Sequence, residues 1–370
     1  MKIMRPNKPV FADISGVDVC YKPRCRYVVS DYESICLVKE TPTTSWVVSS
    51  AVPYERRVCG QNLNGKNVLF YRHTAFGDML MITSVPRYLK TIYPNATIQV
   101  YCDPSMLNMW DGNIFVGGYA TPLPIPFDSL AGFDYHIMYE GMLENNSEPD
   151  QKCCYDDFFS VIGFHNVPDE FKKPYIVPLP SDYTFVASTA MSLHGKFMVY
   201  HLSPANKNRC YPPAKSVEFI TKFLNEHSNW RVFVVGKSGG SDDWVYSGFK
   251  NMTPKDGRII DLVDKVPSFR GLLPFVEAAS LVVCPDSSVM HLSACFPSVP
   301  VISLWGVFSP DDRVKYYTNN IPIFKKDTCP FAPCRVHTFH LPDYCRGDGF
   351  CNVLSSITAE DILDTARRLI

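Results

Sequence analysis

Two carboxylates placed just after short apolar runs are the first sign of chemistry in this chain. The stretch Val282 to Gly306, VVCPDSSVMHLSACFPSVPVISLWG, follows on an apolar run, Leu281-Val282-Val283, and turns at Pro285-Asp286-Ser287-Ser288. A helix starts at Met290, and Val299 to Leu304 is apolar again. Strand, polar turn, helix and strand make a βαβ unit, whose ligands sit outside the carboxyl ends of the strands. A helix start at Asp286, Ser287 and Ser288 presents backbone N–H groups that suit a phosphate, and His291 faces the same crevice. The plainer alternative is an ordinary turn with Asp286 as a cap and His291 packed in a core. The second carboxylate is Asp78. It follows the apolar run Asn67–Tyr71 and the loop residue Gly77, ahead of Leu80, Ile82, Val85, Leu89 and Ile92 at helical spacing. Gly77 lets the backbone approach a ligand or take positive φ. Asp78 is either an N-cap or a carboxylate at the crevice edge, able to take a proton from a hydroxyl.

Cations and further turns complete the set. After the apolar strand Phe197–Leu202 come Ser203, Lys207 and Arg209, which either meet negative charge developing on a leaving group or lie solvated on the surface. Gly236 and Lys237 open a glycine-containing loop after the strand Arg231–Val235. Cys329, Cys334, Cys345 and Cys351 place four thiols in one loop-rich segment, enough for one structural Zn or Fe ion. Disulfides or separate thiols are the alternative, and His337 or His340 can replace one cysteine. No Asp-x-Asp loop supports a catalytic metal, and Asp242-Asp243 alone carries little.

The elements that must position these residues fall into two βα-repeating halves, so the expected class is α/β with two doubly wound, Rossmann-like domains facing a cleft. The expected domains are a β-rich extension over 1–64, a first α/β domain over 65–185 and a second over 186–325. A Cys-rich loop over 326–355 and a terminal helix over 356–370 follow. Prolines 174, 178 and 180 suggest an interdomain linker. With 370 residues, 46% of them hydrophobic, there is material for more than one core. A net charge of −1 weighs against retention on nucleic acid by charge alone, although Lys325, Lys326, Arg335 and Arg346 offer a small basic patch. No run of about 18 apolar residues predicts a membrane span. The N-terminus lacks the apolar core of a secretory signal, so a cytoplasmic protein is expected, with most of its 14 cysteines reduced.

Four motifs in order resemble glycosyltransferase family 9, the ADP-heptose:lipopolysaccharide heptosyltransferases. They are Val68-Leu69-Phe70-Tyr71-Arg72 with Phe76-Gly77-Asp78; His201-Leu202-Ser203-Pro204 with Lys207 and Arg209; Ala278 through Asp286 to His291-Leu292; and Val299-Pro300-Val301-Ile302-Ser303-Leu304-Trp305-Gly306 with Ser309-Pro310. The resemblance covers residues 65 to 370 and implies the GT-B fold with an inverting transfer from an ADP-sugar, ADP-heptose or a similar donor. It implies Asp78 as base, with Lys207 and Arg209 on the departing diphosphate. Gly77, Ser203, Gly236, Lys237, Asp286, Ser287, Ser288 and His291 would contact the donor, and no metal would take part in catalysis. In that fold the terminal helix crosses back to the first domain. Pro285, Ser288 and Tyr211-Pro212 depart from the family pattern, and residues 1–64 have no counterpart in its simple members. The expected function is therefore sugar transfer to a hydroxyl of a saccharide. A hydroxylated DNA base or a protein is the alternative acceptor, and a non-catalytic sugar-nucleotide-binding protein the alternative class.

Overall fold

The computed structural model describes residues 2–14, 17–29, 34, 37, 46–50, 58–72, 75–119, 125–139, 153–189, 191–202, 207–238, 243–334 and 350–370. The chain divides into two compact units, Met1–Glu148 with Asp156–Phe171 and Pro149–Tyr155 with Lys172–Ile370.

The first unit opens with β1 (Lys2–Pro6), β2 (Val10–Ile14), β3 (Val17–Tyr21), β4 (Tyr27–Val29) and β5 (Trp46–Ser50). Its α/β part holds β6 (Asn67–Tyr71), β7 (Thr97–Tyr101), β8 (Gly118–Tyr119), β9 (Ile125–Pro126) and β10 (Tyr135–Met138). β5-β1-β4-β9 form an antiparallel sheet, β2 and β3 a hairpin, and β10-β6-β7-β8 a parallel sheet. Residues 1–64, expected as a separate piece, share a core with this parallel sheet. Met4, Val28 and Val29 lie in one buried cluster with Leu69, Tyr71, Tyr101 and Leu130. The Tyr71 and Tyr101 rings stack at 4.8 Å. A parallel sheet is stable only with both faces covered, and the antiparallel segment covers this one.

The helical pattern after β6 is one stretch in sequence but two helices in space, Phe76–Ile82 and Ser84–Ile92. Pro86 has no N–H to give the carbonyl four residues back. At the junction the Thr83 and Ser84 hydroxyls donate to the Leu80 and Met81 carbonyls, at 2.5 and 2.9 Å. Ile92, read as part of the apolar face, is 39% exposed.

The second unit is built on β11 (Phe197–His201), β12 (Arg231–Val235), β13 (Ile259–Asp261), β14 (Leu281–Pro285), β15 (Val301–Leu304) and β16 (Asn320–Ile323). All pair in parallel, in the order β13-β12-β11-β14-β15-β16. Counted within the sheet this is 3-2-1-4-5-6, the dinucleotide-binding order, so strand direction of travel reverses between β11 and β14. β11, β14 and β15 are buried along their whole length, as continuous apolar runs in a parallel sheet must be. The proline-bounded segment expected as a linker is anchored inside this unit. Arg270 donates to Asp182 at 2.6 and 2.8 Å and to the Val177 carbonyl at 2.7 Å, and both side chains of the pair are 4% exposed. The terminal helix Ala359–Arg367 starts with the Thr358–Asp361 capping box. It packs on the helix Pro213–Glu226 of its own unit, where Arg367 meets Glu226 at 2.5 Å.

Candidate active site

In the first unit the carboxyl end of β6 carries Arg72, which is 1% exposed. A buried guanidinium must be paired, and two acceptors meet it. Nη1 donates to the Tyr139 carbonyl beyond β10 at 2.9 Å, and Nη2 donates to Asp78 Oδ2 at 2.5 Å. The N-cap of the helix Phe76–Ile82 is Ala75, without a side-chain cap bond, so Asp78 is not the cap. The positive φ expected of Gly77 belongs to Ala75, at 72°, while Gly77 is helical. The pair thus stands where β6 and β10 diverge, the first sheet's own reversal point, and Arg72 fixes the orientation of the Asp78 carboxylate. Arg72 was given no role from sequence, although a cation ending an apolar strand is the signal that would have found it.

The second unit repeats the plan at the reversal between β11 and β14. β14 runs into Asp286, 4% exposed, and Arg209 Nη1 donates to Asp286 Oδ2 at 3.4 Å. His201 closes β11 and is 7% exposed. Burial first, and then the Arg209 charge, bring its imidazole down to about 4, so it is neutral near pH 7. Among the described residues, His201 Nδ1, Arg209 Nε and Ser287 Oγ are buried without a hydrogen-bond partner. Buried polar atoms are almost always bonded, so three such atoms around one strand reversal mark a place prepared for a polar ligand. His201 was not assigned from sequence, and a histidine ending a buried strand gives no cue to this by itself.

Ser287 precedes the six-residue helix Ser288–Ser293 in extended conformation, with no side-chain cap bond. His291, 2% exposed, lies inside that helix with Nδ1 2.7 Å from Tyr317 Oη. Its ring is thus buried against Tyr317. Lys207 opens the short 3-10 turn Lys207–Arg209, and Ser203 lies outside the described residues. After β12, Gly236 has φ 155° and Lys237 is exposed. The backbone N–H and hydroxyl of Ser238 both donate to Asp264, which hold that carboxyl below its usual range.

The cysteines are only partly in view. Cys329 and Cys334 are half-buried on either side of a turn closed by the Ala332 N–H to the Cys329 carbonyl at 3.1 Å. Cys351 is buried against Gly306, and Cys345, His337 and His340 lie outside the described residues. Among the described residues no three His, Cys, Asp or Glu side chains converge to hold a metal.

Residues 196–344 match the model of glycosyltransferase family 9, the heptosyltransferases. The match spans 149 of the 370 residues. The matched segment contains both halves of the β11–β14 site. No curated protein matches the chain. Among solved structures, the Escherichia coli ADP-heptose lipopolysaccharide heptosyltransferase II superposes with TM-score 0.62 at 15% identity, over 82% of this chain and 98% of its own. The family 9 glycosyltransferase of Veillonella parvula gives 0.62 at 14%, over 84% and 98%. The iron-containing dodecameric glycosyltransferase TibC of enterotoxigenic E. coli gives 0.58 at 12%, over 100% and 92%. TibC is also solved in complex with ADP-D-beta-D-heptose. These likenesses establish the fold, and the expected α/β class of GT-B type is the one found. TibC matches along the full chain, whereas heptosyltransferase II leaves part of it unmatched. Among the described residues no helix is long and apolar enough to cross a membrane.

Proposed function

We propose that the enzyme transfers a sugar, with inversion, from an ADP-sugar to a hydroxyl of a saccharide acceptor, and that the donor is ADP-heptose or a close relative. The observation that carries this reading is the Arg209–Asp286 pair at the β11–β14 reversal, where His201 Nδ1, Arg209 Nε and Ser287 Oγ are buried and unpartnered among the described residues, inside the segment that matches family 9. The complex of TibC with ADP-D-beta-D-heptose supports the choice of donor.

Roles follow from residue chemistry. Arg209, with Lys207 beside it, neutralises the diphosphate as it departs. The turn Asp286-Ser287-Ser288 receives the sugar-diphosphate, and Gly236 and Lys237 lie toward the nucleoside. Asp78, oriented by Arg72, takes the acceptor proton. In that step the acceptor O–H bond breaks, its oxygen bonds to the anomeric carbon, and the bond from that carbon to the diphosphate oxygen breaks. ADP leaves with the electron pair, and the proton ends on Asp78. Cys329, Cys334, Cys345 and Cys351 are assigned to one structural iron or zinc. Four thiols suit either metal, and TibC contains iron.

Calorimetry of the purified protein with ADP-sugars and ADP, followed by mass-spectrometric screening of oligosaccharide acceptors, tests the reading. Micromolar or tighter binding of an ADP-sugar and a product heavier by one glycosyl unit are expected. Binding of no nucleoside diphosphate or its sugar conjugate refutes the donor assignment. Transfer to a hydroxymethylated DNA or a protein instead refutes the acceptor assignment alone.

A further inference from the structure

The loops that leave β12 and β13 are fastened to each other. β13 runs into the turn of residues 262–265, closed by the Lys265 N–H to the Leu262 carbonyl at 3.0 Å. The third residue of that turn, Asp264, has φ 60°. Gly or Asn is the usual occupant of such a position, because a larger side chain crowds the backbone there. Asp264 is exposed, so core packing does not explain its presence. Its hydrogen bonds do. The Asp264 N–H donates to the Gly236 carbonyl at 3.2 Å and the Ser238 N–H donates to Asp264 Oδ1 at 2.9 Å. The Ser238 hydroxyl donates to Asp264 Oδ2. The two bonds from Ser238, helped by the Lys237 charge, hold the carboxyl below its usual range. It is therefore ionised near neutral pH and only accepts, which fixes the donor in each bond.

The turn that carries Asp264 is itself tied down. The Leu262 N–H extends the sheet pairing onto the Val234 carbonyl at 2.8 Å. Asp261 Oδ1 accepts from the Val263 N–H at 3.0 Å, and Tyr246, on the helix Asp243–Met252, donates to Asp261 Oδ2 at 2.7 Å. The loop after β12 starts instead with Gly236, at φ 155°. Glycine loses more conformational freedom than any other residue when it is ordered.

We propose that Asp264 is a positioning residue for the donor nucleotide: acting through Ser238, it holds loop 236–238 in the shape that receives the nucleoside. This rests on the donor assignment above and adds to it a residue from the turn of the neighbouring strand, outside the sequence motifs. Asp264 need not touch the ligand. With the loop already ordered, binding does not have to order it.

The test is calorimetry of the full chain with ADP. Asp264→Gly keeps the backbone angle and removes the carboxylate, and should weaken ADP binding about tenfold in a protein that is still folded by circular dichroism. Asp264→Asn keeps an acceptor for the Ser238 N–H and should stay within about threefold of wild type. Ser238→Ala removes the hydroxyl donor. Combined with Asp264→Gly it should weaken ADP binding no further than Asp264→Gly alone, because both act through one clasp. Hydrogen exchange on the ligand-free protein should show the Ser238 amide protected in wild type and unprotected in Asp264→Gly. A Ser238 amide that exchanges freely in wild type overturns the proposal, and that reading needs no variant to fold. So does full additivity of the two substitutions. ADP bound equally by wild type and Asp264→Gly overturns the role of Asp264 alone, whereas failure of wild type to bind ADP overturns the donor assignment and that role with it.

Discussion

Replacing Arg72 by Met removes a guanidinium that is 1% exposed and leaves behind the Asp78 carboxylate, whose side chain is 12% exposed. The 2.5 Å bond to Asp78 and the 2.9 Å bond to the Tyr139 carbonyl go with it. Stripping one partner from a buried pair costs about 3–5 kcal/mol, because the remaining charge is uncompensated. The widowed carbonyl adds about 1 kcal/mol. The expected total, about 4–6 kcal/mol, is a large fraction of a typical domain's stability. In guanidinium chloride, with a slope of roughly 4 kcal/mol per M, the midpoint should fall by about 1–1.5 M. The double variant Arg72→Met with Asp78→Leu removes both charges and should recover most of the loss, giving a coupling of about 2 kcal/mol or more. Circular dichroism during denaturation, with limited proteolysis between Met1 and Phe171 to identify the unit that opens, measures both. A single Arg72→Met variant with a midpoint within about 0.2 M of wild type would refute the reasoning, because the pair would then be solvated rather than buried.

Asp78→Asn should lower kcat about 10²-fold or more while ADP affinity stays within about twofold, as single-turnover kinetics and calorimetry can show; normal turnover would leave Asp78 as a partner of Arg72 only. For His201 the folded-state value of about 4 lies below the ordinary 6.5, so the unfolded chain binds the extra proton. Stability should therefore fall as pH drops from about 6.5 to about 4, by about 3 kcal/mol at about 1.4 kcal/mol per pH unit. His201→Gln should flatten that part of the urea-midpoint profile, and an unchanged profile would locate the acid sensitivity elsewhere. Arg209→Met should weaken binding of an ADP-sugar about tenfold or more by removing a charge from the diphosphate; equal affinity of the two proteins would count against the β11–β14 assignment. Elemental analysis should find about one Fe or Zn per chain, lost in Cys345→Ser, whereas mass mapping that shows these cysteines in disulfides would end the metal assignment.

Sequence by itself determined the framework, because the framework is written in local pattern. Buried strands of a parallel sheet are continuous apolar runs, and so Phe197–His201, Arg231–Val235 and Leu281–Pro285 were legible as strands, with Asp286 and Ser287 in the turn that follows. The capping box at Thr358 was legible for the same reason, since its partners are three residues apart. What depended on distant partners was not legible. Arg72 and Tyr139 are far apart in sequence and meet only when β6 and β10 pair. Asn319 clamps a helix that ends 26 residues earlier, at Ser293. The residues expected to form a separate N-terminal piece join the core over β6 and β7, because only the folded sheet creates the apolar face they cover. The same cause explains the proline-rich segment near Pro178, whose composition suggests a linker although the buried Arg270–Asp182 pair fixes it. Periodicity and turn chemistry are properties of neighbours along the chain. The pairing of buried charges and the burial that neutralises His201 are properties of neighbours in space, and only the tertiary structure decided them.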